Sequence, residues 1–418
     1  MTDNPRPRTL IVTNDFPPRQ GGIETFVREL ADRFPPGEVV VFTSAPRPAT
    51  AEPTPHESFA YPVIRHRARA LLPTLRATAH AASVARRYGC DRVWFGAAAP
   101  LGLMAGRLRQ TTDIRTAVAT THGHEVWWAR TPGARALLRR IGREVDALTW
   151  LGASTRRPIE AALAPGTRTA RLVPGVDTTA FHPFLDGGPV RARYGLGRRP
   201  VILCAARLVP RKGQDTLIRA LPWIRRAVPD AMLLLVGDGP YAPELRQLAL
   251  SEGVRDSVVF AGGHPHPTLP SFYAAADAFA MPCRTRRHGL EMEGLGIVYL
   301  EAAASGLPVV AGDSGGAPDA VRDGETGHVV DGRSVAATAD RLVRLLRNPG
   351  LAREMGEKGR HWVRTEWTWD RSYATLAGLL HPAGDEGRGG VGAGGDVSAT
   401  GHEGEELRVY GQRGDTRR

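Results

Sequence analysis

Short apolar runs alternate along this chain with stretches of helical period. Thr9–Thr13 (TLIVT) reads as a buried strand, Gly21-Gly22 as part of the turn after it, and Ile23–Arg33 as a helix. Val39–Thr43, Val93–Phe95, Thr116–Thr121 and Ala147–Leu151 read as further strands, each followed by a candidate helix. Thr74–Arg87 and Ala134–Arg143 have helical spacing, and Ser154 before Arg156–Leu163 fits an N-cap. Strands that alternate with helices predict a mainly parallel sheet covered on both faces.

The pattern breaks at residues 182–199. HPFLDGGPVRARYGLGRR is rich in glycine and proline and reads as a linker with a small helical turn. The alternation then restarts with strands at Val201–Ala206, Leu233–Val236, Val258–Ala261, Ala278–Met281, Val309–Ala311 and His328–Val330. The expected fold class is therefore α/β, with two Rossmann-like parallel-sheet domains facing a cleft. The expected division is an N-terminal domain over residues 1–190, a second over 191–365, and a terminal helix over 366–381 that packs back on the first. Past Pro382 the chain is too poor in apolar residues to offset its ordering entropy, and residues 382–418 are expected to be disordered.

Composition narrows the class. The chain has 418 residues, 42% hydrophobic and 23% charged, which excludes disordered, coiled-coil and collagen-like proteins. No run approaches the length of a membrane-spanning helix, and Met1 to Arg8 leads into the first strand without an apolar signal region. Three scattered cysteines, Cys90, Cys204 and Cys283, argue against a disulfide framework or a zinc site. The cytoplasm is the expected compartment. Net charge is +12, and residues 60–145 hold most of it: fifteen arginines against Asp91, Asp113, Glu125 and Glu144. Such a patch suits an anionic partner, either nucleic acid or anionic lipid. Nucleic acid calls for aromatic residues among the arginines, and residues 60–115 offer only Tyr61, Tyr88, Trp94 and Phe95, the last two inside a strand. The patch is therefore expected to serve an anionic membrane surface, with Arg76, Arg86 and Arg87 as its docking residues, and no nucleic acid.

Five segments carry candidate chemistry. Asn14–Gly22 lies at the carboxyl end of the first strand, where open α/β sheets bind ligands, and its paired glycines let backbone N–H groups approach a phosphate. Arg207 and Lys212 follow the first strand of the second half, and two cations there can neutralise a diphosphate. Gly237-Asp238-Gly239-Pro240 reads as a tight turn into a helix. Glu293-Gly294-Leu295-Gly296-Ile297-Val298-Tyr299-Leu300-Glu301 brackets a helix start near Gly296 between two acids. One ligand with hydroxyls at both ends and phosphates in the middle satisfies both acids and the helix amides, which describes a nucleotide sugar. His122 and His124, beside Glu125, end a first-half strand; a cleft-facing acid, base or polar contact fits them better than a metal site.

Together these segments resemble glycosyltransferase family 4, with the GT-B fold, over roughly residues 8–380. TNDFPPRQGGIE, HGHEVWWA, MPCRTR and EGLGIVYLEAAASGLPVVAGDSGGAP are most similar to the actinobacterial phosphatidylinositol mannosyltransferases within it. The resemblance implies transfer of mannose from GDP-mannose to a phosphatidylinositol mannoside, with retention, by a peripheral enzyme on the inner membrane face. It implies that Gly22 touches the donor phosphate or the acceptor, and that Arg207 and Lys212 hold the diphosphate. Glu293 takes the sugar hydroxyls, Gly294, Leu295, Gly296 and Ile297 offer N–H groups, and Glu301 takes the ribose. His122 matches the cleft histidine, and Gly263–His264 the contacts to the base. The chain departs from the pattern at Arg286-Arg287-His288, which is bulkier and more basic.

A retaining glycosidase uses two carboxylates about 5 Å apart. No such pair is evident here. The resemblance implies instead a front-face reaction in which the departing diphosphate helps deprotonate the acceptor. No D-x-D motif occurs, and Arg207, Lys212 and a helix N-terminus already supply positive potential, so no metal or other cofactor is expected. The alternative is another nucleotide sugar with a soluble or polysaccharide acceptor.

Overall fold

A computed structural model describes residues 8–19, 21–45, 59–289 and 291–381. Two wholly parallel sheets form, each around one of the two runs of apolar strands. The first contains β1 (Arg8–Thr13), β2 (Val39–Ser44), β3 (Val63–His66), β4 (Cys90–Phe95), β5 (Thr116–Thr120), β6 (Ala147–Trp150) and β7 (Thr169–Arg171), in the order β3-β2-β1-β4-β5-β6-β7. The second contains β8 (Val201–Ala205), β9 (Met232–Val236), β10 (Val258–Gly262), β11 (Ala278–Met281), β12 (Val309–Gly312) and β13 (Gly327–Val330), in the order β10-β9-β8-β11-β12-β13. Every strand pair is parallel.

Each sheet reverses its strand order once, between β1 and β4 and between β8 and β11. Loops leaving the carboxyl ends of strands at such a reversal diverge and leave a crevice. The segments after β1, β4, β8 and β11 are therefore the ones the topology places around a ligand. They contain Gly22, Gly96, Arg207 with Lys212, and Glu293.

The central strands are buried from end to end; Leu10, Ile11 and Val12 of β1 and Leu234 and Leu235 of β9 are fully covered. One apolar cluster surrounds the second sheet, and two cover the faces of the first. The last described helix, Trp369–Leu380, contributes Trp369, Leu376, Leu379 and Leu380 to one of those first-sheet faces, beside Ile11, Val41 and Trp94. All three cysteines are free and buried.

Two sequence expectations change. Ser154 does not cap its helix. The helix is Ala153–Glu160, its N-cap is Gly152, and the Thr155 hydroxyl bonds both the N–H and the carbonyl of Gly152. Asp319 of the second sheet's half packs against Gly152 and accepts a bond from Ala153 N at 3.3 Å. The arginines Arg76, Arg86 and Arg87 are spread along one helix rather than clustered at one point. They lie at opposite ends of the Leu75–Tyr88 helix, about 15 Å apart at 1.5 Å per residue. Arg86 is spent on the Thr111 carbonyl and Arg87 lies over the Tyr88 ring. Residues 382–418, expected to be disordered, fall outside the described residues. No helix among the described residues is long and apolar enough to cross a membrane.

Candidate active site

A cleft of about 470 Å³ lies between the two halves, lined by Gly22, His122, Arg207, Lys212, Glu293 and the Gly294–Val298 segment, among others. Residues from both sheets thus meet in one cavity, and nine of the sequence-derived candidates line it together: Gly22, His122, Arg207, Lys212, Glu293, Gly294, Leu295, Gly296 and Ile297.

Glu293 is the electrostatic centre. Its carboxylate is almost wholly buried and accepts from Lys212 Nζ at 2.7 Å and Arg211 Nη1 at 2.6 Å. Burial pushes its pKa up, but the charges and hydrogen bonds of Lys212 and Arg211 outweigh that and hold it below the ordinary carboxylate value. It is therefore an anion at neutral pH. Arg211 was not among the candidates; it adjoins Lys212 in the single turn Pro210–Lys212, which aims both cations at one carboxylate. Arg207, in contrast, is exposed in the cleft and has no carboxylate partner among the described residues. Its guanidinium is available to an anionic ligand.

The position of Glu293 is set by backbone. After β12, Ser314 Oγ accepts from Glu293 N at 3.3 Å, and Gly316 N donates to the Glu293 carbonyl at 3.0 Å. Gly315 sits at φ +57 against that same carbonyl, where no Cβ fits. On the opposite side, a Cβ on Gly294 would lie 2.7 Å from the His122 carbonyl. The two halves therefore touch backbone to backbone where Glu293 enters the cleft.

The helix expected near Gly296 is Ile297–Ala304, with Gly296 as its N-cap at φ +81. A Cβ there would strike the Tyr299 ring. The first N–H groups of this helix have no partner within it and border the cleft beside Arg207 and Lys212. That is the combination of dipole, amides and cations that holds a diphosphate.

On the first-sheet side, the His122 ring meets Phe26 edge-on at 5.2 Å and lies 2.6 Å, through Nε2, from the Gly96 carbonyl. Burial lowers its pKa, against the pull of Glu125, so the ring is neutral at pH 7. A carbonyl can only accept, so the neutral ring carries its proton on Nε2 and keeps Nδ1 as an acceptor. Glu125 is buried beneath it and accepts from His122 N at 2.9 Å; His124 Nε2 lies 3.1 Å from the same carboxylate. His124 is thus a neighbour of the site's support and does not line the cleft described above.

Glu301 and His264 do not line that cleft. Glu301 lies one step behind the cleft, its side chain 2% exposed, accepting from the Tyr273 hydroxyl and from His266 Nε2, each at 2.8 Å. The His264 ring lies tilted against Phe272 at 4.5 Å and meets the Tyr194 hydroxyl at 3.1 Å, and the imidazole that reaches Glu301 is that of His266. The HPHP run holds both histidines two residues apart, and only the turn His266–Thr268 decides which one reaches Glu301. Arg286 and Arg287, the basic departure from the family pattern, both pair with Glu291.

Comparison with known proteins gives the family. Residues 20–180 match the family described as Glycosyltransferase Family 4, and residues 190–362 match Glycosyl transferases group 1. The GDP-mannose-dependent alpha-(1-6)-phosphatidylinositol monomannoside mannosyltransferase of Mycolicibacterium smegmatis is 49% identical, over 89% of this chain and 97% of its own length. The GDP-mannose-dependent monoacylated alpha-(1-6)-phosphatidylinositol monomannoside mannosyltransferase of Corynebacterium glutamicum is 45% identical, over 89% and 97%. The structure of sucrose-phosphate synthase from Thermosynechococcus elongatus, 23% identical, superposes with a TM-score of 0.74 over 90% of this chain and 98% of its own. Two parallel sheets of this order, family matches over both halves and near-full-length identity of this degree lead to one conclusion: the chain belongs to glycosyltransferase family 4 and has the GT-B fold.

Proposed function

We propose that this enzyme transfers mannose from GDP-mannose to a phosphatidylinositol monomannoside with retention of configuration. The observation that carries the reading is the single cleft in which Arg207, Lys212, Glu293, His122 and the start of the Ile297–Ala304 helix converge. It supports the reading because each part matches one part of a nucleotide sugar. Arg207, Lys212 and the helix amides take the diphosphate, and need no divalent metal to do so. Glu293 takes sugar hydroxyls, Glu301 the ribose, and the backbone of Gly263–His264 the base. Gly22, which lines the cleft from the first-sheet side, takes the donor phosphate or the acceptor. His122, with Nδ1 free to accept, orients a hydroxyl in the same space. The protein's contribution is then positioning and stabilisation of the departing diphosphate. The near-full-length likeness to enzymes named for GDP-mannose and phosphatidylinositol monomannoside favours that donor and acceptor.

The test is transfer of label from GDP-mannose or UDP-glucose to phosphatidylinositol monomannoside or to a soluble inositol phosphate. Label from GDP-mannose should enter the organic phase as an alpha-linked product. Label that stays with the soluble acceptor, or comes only from UDP-glucose, overturns the assignment.

The acceptor requires contact with a membrane, which we place on the inner face. Its docking tip is the loop before the Leu75–Tyr88 helix, where Leu72 and Leu75 are 56% and 75% exposed among Arg67, Arg69 and Arg76. Apolar side chains ringed by arginine suit an anionic leaflet, each cation adding about 1 kcal/mol. Changing Arg67, Arg69 and Arg76 to Ser should release the protein from anionic vesicles in a co-sedimentation assay at low salt, while Arg86→Ser with Arg87→Ser should not. Equal binding to neutral vesicles, or no loss in the triple variant, rules this tip out.

A further inference from the structure

The carboxylate of Glu301 is sealed. Its side chain is 2% exposed, one oxygen is taken by the Tyr273 hydroxyl, and the other meets His266 Nε2 at 2.8 Å. The His266 side chain is half exposed and lines a pocket of about 220 Å³, next to the main cleft, together with Thr25, Glu29, Asp177, Glu301 and Trp369. Ile297 lines both cavities, and of the two residues in the smaller one His266 is the exposed partner and Glu301 the covered one. Nothing covalent holds the ring there; it rests near Phe181, at 5.5 Å between centroids, on a single turn, His266–Thr268.

We propose that His266 is a removable cover on Glu301: in the empty enzyme the imidazole stands where the nucleotide's ribose must bind, and donor binding swings it out. This rests on the reading that Glu301 takes the ribose.

The cover is also linked to protons. The hydrogen bond to Glu301 raises the His266 pKa; burial opposes this, and the charges of Glu301, Glu29 and Asp177 add to it. The groups that face the ring are thus Glu301 and Tyr273 on one side, Glu29 and Thr25 on the Gly22–Ala31 helix, and Asp177, itself under the influence of Arg33. A displaced ring loses those partners and returns toward the ordinary value of about 6.5. Between that value and the raised one, binding expels protons, so donor affinity drops as the pH is lowered, by at most about tenfold per unit.

Calorimetric titration with GDP at pH 6, 7 and 8 tests this in wild type, His266→Gln and His266→Ala. Comparison between proteins cancels the titration of GDP itself. Wild type should lose affinity from pH 8 to pH 6 beyond any loss in either variant, and should release protons, seen as a buffer-dependent heat. His266→Ala should bind GDP more tightly than wild type at pH 6. Weaker binding by His266→Ala at every pH would make the ring a donor ligand and overturn the cover, as would identical pH profiles for wild type and His266→Gln. Glu301→Gln separates the two ideas. Unchanged GDP affinity in that folded variant removes the ribose role itself, whereas a loss there with inert His266 variants removes only the cover.

Discussion

Glu293→Gln should fold and should turn over about 10- to 150-fold more slowly, with the donor KM little changed. The range follows from a charged hydrogen bond to substrate, worth about 1.5–3 kcal/mol. The amide keeps the shape of the side chain but loses the charge that Lys212 and Arg211 hold in place. Both variants should lose stability, because either removes the counterion of Lys212, and Glu293→Ala should lose more because the hydrogen-bond acceptor goes as well. Lys212 is buried and would keep its charge without a counterion, and breaking one side of a buried pair costs about 3–5 kcal/mol. The true cost falls below that range because Arg211 is a third exposed and water screens its share. Acid sensitivity gives a second readout. The folded-state pKa of Glu293 is depressed, so its contribution to stability is complete above the unfolded value of about 4.3 and disappears as pH falls through the folded value. The Gln variant should therefore lose less stability than wild type over that acidic window, in thermal melts between pH 6 and pH 3. Wild-type turnover in Glu293→Gln would remove the residue from the reaction.

Legibility differed sharply between backbone and contacts. Central strands were readable because burial on both faces demands unbroken apolar runs such as Thr9–Thr13 and Leu233–Val236. The edge strands β3 (VIRH) and β7 (TAR) were not, because they are at most half-buried and carry polar side chains that suit a loop equally well. The anion-binding residues were legible from their place after strands, since the reversal of strand order fixes which loops surround a crevice. What joins Glu293 to Arg211, or Glu301 to His266, is contact across 82 and 35 positions, and no local pattern encodes it. The basic patch is less local than the charge density suggests. Charge density along the chain grouped Arg76 with Arg86 and Arg87, although the helix that carries them holds them at opposite ends. The run SGGAP entered only as part of the family likeness, and its role as the seat of Glu293 emerges from the packing alone.

That seat carries the other large effect. Gly315→Ala should cost more activity than any other single methyl added near the cleft. The residue holds φ +57, and its Cβ would collide with the Glu293 carbonyl oxygen and lie 3.1 Å from the Glu293 nitrogen. Both obstacles are main chain, so no rotamer change relieves them. The neighbouring bonds cannot yield independently either: Gly316 N holds the same carbonyl, and Ser314 Oγ accepts from Glu293 N. The added methyl must therefore lift Glu293 away from Lys212 and push Gly294 toward the His122 carbonyl, where a Cβ on Gly294 would already be only 2.7 Å away. A displacement of about 1 Å at a positioning group can cost 100-fold in rate. The left-handed conformation itself costs an alanine about 1–2 kcal/mol wherever it occurs. Gly324→Ala supplies the control, because Gly324 has φ +79 and nothing within 4 Å of its would-be Cβ. The control should lose stability by the conformational cost alone and keep its turnover. Gly315→Ala should lose more in thermal denaturation and about two orders of magnitude in turnover. Equal turnover in the two variants would mean that Glu293 tolerates the displacement, and that the close backbone contact beneath it is packing without consequence for the reaction.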